Sequence, residues 1–126
     1  MKCRAAVLHT IGAPPPYGNS KPIKIEEIEL EAPGDGEVLV KVAAAGLCHS
    51  DLSVLNGSRP RPLPMVIGHE AAGVVTSIGP GVTNLDVGDH VVFVFVPSCG
   101  DCIPCGEGRP ALCEPGAKAN VAGTLL

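Results

Sequence analysis

The chain has 126 residues, 9 of them basic and 13 acidic for a formal net charge of −4, and 45% of its residues are hydrophobic. This length suits one domain with a real core, and a mildly acidic chain without a basic cluster excludes the footprint of a nucleic-acid binder or of a polybasic membrane surface. With one Tyr, two Phe and no Trp, the core has to come from Val, Ala, Leu and Ile, while 16 Gly and 13 Pro point to short strands and many turns rather than a helical bundle.

In chain order, Lys2 to Leu8 reads as an opening strand, and the proline-rich stretch from Gly12 to Asn19 reads as a loop that cannot join a ladder. Ile23, Ile25 and Glu27 alternate with Lys24 and Glu26 up to Leu30, the period of a half-buried strand. After a turn at Ala32 to Gly36, Val38, Val40 and Val42 give a third strand that runs into Gly46. Asp51 to Leu55 is the best short helix, with Ser50 as a candidate N-cap and Asn56-Gly57 as its stop. Three prolines between Arg59 and Pro64 demand an extended connection. Two β-branched runs follow, Gly73 to Gly79 and His90 to Val96, and from Pro97 onward no periodicity is visible. Five or six strands and one brief helix predict a mainly β, partly closed barrel. The apolar runs at Ala5 to Leu8 and Val91 to Val96 are too short for a secretory signal or a membrane span, so a soluble, cytoplasmic protein without a membrane partner is expected.

Cys99, Cys102, Cys105 and Cys113 form a C-x2-C-x2-C-x7-C pattern. Thiolates so spaced can turn toward one centre about 2.3 Å from each sulfur, and four of them close a tetrahedral shell with no open position, as in a structural zinc site. Two disulfides or an iron–sulfur centre are the alternatives. The expected compartment disfavours the first, and Glu114, standing between Cys113 and Pro115, departs from the ferredoxin run. Residues 97–115 are therefore read as a zinc lobe. Cys48 and His69 each stand near Gly in a loop or at a strand end, and separated Cys and His ligands suit a zinc that keeps a position for substrate. On spacing alone a small buried hydrophobe and a satisfied histidine are the commoner readings of such residues.

Taken together, Gly46-Leu47-Cys48-His49-Ser50-Asp51, Gly68-His69-Glu70-x2-Gly73-x5-Gly79-x2-Val82 and the four-cysteine lobe resemble the zinc-containing medium-chain alcohol dehydrogenases, in the order found in their N-terminal catalytic, GroES-like domain. The resemblance covers essentially the whole chain, 1–126. It implies a partly open GroES-like β-barrel with short helices. It also implies a catalytic zinc held by Cys48 and His69, with Glu70 as an alternate or supporting carboxylate, and a structural zinc in the lobe. Ser50 would take the proton of the substrate alcohol, zinc would favour the ionised oxygen, and hydride would pass to NAD or NADP. Asp51 would accept a hydrogen bond from the far nitrogen of His69. His49 would lie near the cofactor phosphates and could extend the proton relay. Small-molecule alcohols, aldehydes or ketones are the implied substrates, and a homo-oligomer is the implied assembly at full length.

The resemblance also exposes gaps. The family's third ligand to the catalytic zinc has no counterpart before Leu126, and no G-x-G-x-x-G follows a strand, so residues 1–126 are expected to lack the nucleotide-binding domain. The ending Val121 to Leu126 reads as a cut through continuing structure. The structural zinc is accordingly expected to persist, the catalytic zinc to be weakly held or absent, and the chain alone to be inactive. The competing expectations are a free-standing zinc-stabilised β-barrel used for binding or assembly, and a redox-sensing zinc protein whose lobe cysteines release metal on oxidation.

Overall fold

The computed structural model describes residues 1–124, so the expected cut at Leu126 lies outside the described residues. β1 (Lys2–Leu8) pairs antiparallel with β2 (Ile23–Glu29) along its whole length, from Lys2 opposite Glu29 to Leu8 opposite Ile23. Its last two residues also pair with β4 (Met65–Val66), giving a sheet of order β2-β1-β4. The second sheet is antiparallel too, in the order β3 (Val38–Ala45), β5 (Ala71–Ile78), β6 (His90–Val92). Among the described residues the sheets stay separate, so the mainly β, partly open barrel expected from the sequence is what forms. No helix among these residues is long and apolar enough to cross a membrane.

Two glycines of the His69 segment set how closely β5 can lie to its neighbours. A Cβ on Gly73 would come within 2.4 Å of the Lys41 carbonyl oxygen, and one on Gly79 within 1.8 Å of that of Gly34. Only glycine lets the backbones approach so far. The register between β3 and β5 shifts at Leu39/Val40 and again at Val42/Ala44, and such irregularities bend a strand near its end.

The core lies where the first sheet meets α2 (His49–Leu55), and it is aliphatic as the composition required. Leu8 is fully buried and packs with Val54, Leu55 and Ile67. Burial of Val54 and Leu55 fixes the inner face of α2, which presents its N-terminal turn to the Gly68–Glu70 segment.

Four local expectations need correction. Helix α2 starts at His49 with Cys48 as its N-cap, so Ser50 is inside the first turn. Ile25 is 61% exposed although its period matches Ile23, because β2 is an edge strand and only its Ile23 end reaches the core. β6 stops at Val92 rather than Val96: the Phe93 N–H still donates to the Ala71 carbonyl at 2.9 Å, but there β5 itself begins. Finally, the proline loop contains a single turn of helix, α1 (Tyr17–Ser20), and the aperiodic cysteine region contains α3 (Ile103–Gly106), a 3-10 turn (Pro110–Leu112) and α4 (Glu114–Ala122).

Candidate functional site

The four lobe cysteines come together: one ligand atom from each of Cys99, Cys102, Cys105 and Cys113 lies within 4.8 Å of all the others. Tetrahedral zinc–thiolate bonding needs sulfurs roughly 3.8 Å apart, so the donor set fits a closed four-sulfur shell. Backbone N–H groups support the sulfurs: Cys99 and Gly116 donate to Cys113 Sγ, each at 3.3 Å, and Cys102 donates to Cys99 Sγ at 3.4 Å. The N–H groups of Cys105 and Glu114 hold the Cys102 thiol down at about 7, while burial pushes Cys105 up to about 11. Cys113 is fully buried and caps α4. That helix sits so tightly on the chain that a Cβ on Gly116 would lie 1.9 Å from the Pro97 carbonyl oxygen.

A second donor set unites Cys48, His69 and Glu70, whose ligand atoms again lie within 4.8 Å of one another. Cys48 ends the connection into α2, and His69 and Glu70 bridge β4 to β5. The Gly46 N–H donates to the Glu70 carbonyl at 2.7 Å, and a Cβ on Gly46 would be 3.2 Å from Glu70 Oε2. Asp51 braces the cluster from behind. Its Oδ2 accepts from the Cys48 N–H at 3.1 Å, and its Oδ1 accepts from the Gly68 N–H at 3.2 Å and stands 3.5 Å from His69 Nδ1. The last distance is an electrostatic contact, longer than a well-formed hydrogen bond. It leaves Nε2 as the nitrogen free to face the hollow, where Ser50 Oγ lies 3.4 Å from it.

The hollow holds about 380 Å³ and is lined by Cys48, Ser50, His69, Glu70, Phe93 and Phe95. Sequence reasoning missed both phenylalanines. The Phe95 ring lies 4.6 Å from that of His69, tilted by 58°. His49 is exposed and is not part of this lining. On the other side of the Ser50–His69 wall is a smaller recess whose lining includes Arg59, Arg61 and Asn120, none of which the sequence reading singled out. One signal was present: in Arg59-Pro60-Arg61-Pro62 the arginines are two apart on an extended segment, which places them on the same side of the chain. Cys3 is half-buried in β1, and His9 bonds Glu26 at 2.8 Å.

Two open antiparallel sheets, a four-cysteine cluster that follows β6 in the chain and a mixed-donor hollow describe a mainly β domain with two donor sets able to hold metal. Residues 34–125 match the family model described as the alcohol dehydrogenase GroES-like domain, and the chain belongs to that family. It is similar to the NDMA-dependent alcohol dehydrogenase of Amycolatopsis methanolica, 51% identical over 117 residues that cover 93% of this chain and 29% of that protein. Among solved structures, it resembles the benzyl alcohol dehydrogenase of Acinetobacter calcoaceticus, with TM-score 0.83 and 40% identity over 99% of this chain and 32% of that one. A cobalt- and zinc-bound thermostable alcohol dehydrogenase from Pyrobaculum aerophilum matches with TM-score 0.78 and 38% identity over 92% of this chain and 33% of that one. The chain thus spans about 30% of the length of the relatives it matches.

Proposed function

We propose that this chain is the zinc-bearing catalytic part of an NAD(P)-linked alcohol dehydrogenase that acts in the cytoplasm, as a homo-oligomer, on small alcohols and the corresponding aldehydes or ketones. The observation that carries the proposal is the meeting of Cys48, His69 and Glu70 donor atoms within 4.8 Å, in a hollow that Ser50 also lines. Thiolate, imidazole and carboxylate make a donor set that suits zinc and leaves it a position for substrate.

A zinc ion bound there would supply Lewis acidity, lowering the cost of ionising an alcohol. The protein residues do the rest. Ser50 lies beside His69 Nε2 in a first helical turn held by the core, and its hydroxyl would relay the proton of an alcohol, accepting it on Oγ as its own proton moves onward. His49, exposed on the same turn, would pass the proton to solvent or meet the dinucleotide. Asp51 keeps His69 oriented. Phe93 and Phe95 supply apolar walls that limit water. Cys99, Cys102, Cys105 and Cys113 would hold a second zinc with a purely structural role, in a lobe corresponding to residues 97–115. Hydride acceptance belongs to a nucleotide-binding part in the longer protein.

Metal analysis tests this reading. Purified chain should retain a tightly bound zinc in the four-cysteine lobe and bind a further, more readily chelated one. Titration with cobalt should give thiolate charge-transfer absorption from both sites. Cys48→Ser and His69→Ala should each abolish the weaker site and spare the tighter one. Two metal equivalents that persist in both variants would overturn the assignment. Without the longer protein, benzyl alcohol and NAD should yield no NADH.

A further inference from the structure

We propose that Arg59 and Arg61 form an anion subsite beside the Cys48–His69–Glu70 cluster, so that the alcohol or aldehyde acted on carries a carboxylate or phosphate group at its far end. This assignment rests on the reading of that cluster as the place where the substrate oxygen is held.

The recess lined by both arginines shares Ser50, His69 and Phe95 with the hollow. Arg59 Cζ sits 5.2 Å above the Phe95 ring centroid, within the range of a cation–π contact, and that same ring lies 4.6 Å from the His69 ring. The guanidinium is thus one aromatic ring away from the metal-donor histidine. Arg61 Nη2 donates to Asn120 Oδ1 at 3.3 Å, and Asn120 Nδ2 donates to the Phe95 carbonyl at 2.7 Å, so the second guanidinium is braced against the same wall.

Neither arginine forms an ion pair among the described residues; the pairs there belong to Lys2, His9, His69 and Arg109. Asp51, the acidic residue of the recess, already serves the Cys48 and Gly68 N–H groups and His69. Burial, with Arg59 adding to it, lowers the proton affinity of Arg61 below the ordinary value. In a chain of net charge −4, two unneutralised guanidinium groups at one wall of the site are a local exception. Planar guanidinium groups bind carboxylate and phosphate oxygens in paired hydrogen bonds.

The test uses this chain, zinc-loaded and labelled with nitrogen-15, with the arginine Nε–Hε signals as the readout. One arm titrates 4-(hydroxymethyl)benzoate, a second its neutral relative benzyl alcohol, and a third NADH and NADPH. The carboxylate probe should shift the Arg59 and Arg61 signals and bind about tenfold tighter than benzyl alcohol, the gain expected of a charge-assisted hydrogen bond. In Arg59→Gln that preference should vanish while the affinity for benzyl alcohol stays put, and Arg59→Lys should keep part of it. Equal affinities for the two probes in the unaltered chain overturn the subsite, whatever the variants do. So does a preference that survives both Arg59→Gln and Arg61→Gln, since the carboxylate would then be held elsewhere. If the dinucleotides shift both arginine signals and the benzoate does not, the anion belongs to the cofactor and the substrate assignment falls. The arginine signals report anion binding with or without metal at Cys48 and His69. Failure of the catalytic reading shows separately, as the absence of any metal-dependent change at those two residues.

Discussion

Asp51 serves three partners with two oxygens: it caps α2 through the Cys48 N–H, ties down the Gly68 N–H and faces His69 Nδ1. Replacing it by Ala removes a helix-capping contact, a loss of about 1 kcal/mol, and frees the imidazole to turn. Asp51→Ala should therefore lower metal affinity at Cys48, His69 and Glu70 by roughly 10- to 100-fold while leaving the four-cysteine lobe unchanged. Competition with a chromophoric chelator measures both; an unchanged weaker site would reduce Asp51 to a helix cap. At this scale the sequence was informative for the donor types, Cys48 and His69, but it read Ser50 rather than Cys48 as the cap of α2 and did not read the Asp51 contact to the Cys48 N–H. It was least informative for Arg59 and Phe95, whose contact joins chain segments 36 residues apart. No local pattern encodes such a meeting, and the prolines around Arg59 made the segment look like a spacer.

The same distinction holds among the secondary-structure elements. β1 was legible because a short run ending in apolar residues, bounded by the proline-rich stretch, agrees with the strand observed. Helix α4 was not, since Pro115 and Gly116 near its start are poorly suited to a helix interior and it buries only Gly116 and Ala119. What orders it is the Cys113 cap and the close seat on Pro97. Gly116→Ala inserts a methyl group where 1.9 Å separates it from the Pro97 oxygen, so a destabilisation of about 1–3 kcal/mol is expected. Because the strain falls on the lobe, zinc should leave it faster on chelation, while the urea midpoint of the β-sheet signal shifts less. Equal rates of zinc loss from variant and parent would show that α4 does not support the cysteine knot.

For the whole molecule, order comes from two sources that share little material. The aliphatic cluster around Leu8 holds the first sheet to α2, and the cysteine lobe gathers four thiols that a metal would cross-link. Truncating fully buried Leu8 to Ala should cost about 2–5 kcal/mol, read as a fall in the urea midpoint, without releasing lobe zinc before the sheets unfold. Simultaneous loss would mean that the lobe depends on the aliphatic core. The division also explains what the sequence could convey: the lobe was readable because its ligands fall within 15 consecutive positions, Cys99 to Cys113. The hollow required the family resemblance, since its walls converge from three separate segments of the chain.

Helix α4 joins these parts mechanically. It is capped by Cys113 and carries Asn120, whose side chain bonds the backbone carbonyl of Phe95, a residue whose ring lies against both His69 and Arg59. The helix is a strut, with one foot in the sulfur knot and the other against the wall of the hollow. Whatever anchors the knot thereby also sets the position of that wall, and a metal held there, far from the hollow, would take part in shaping it.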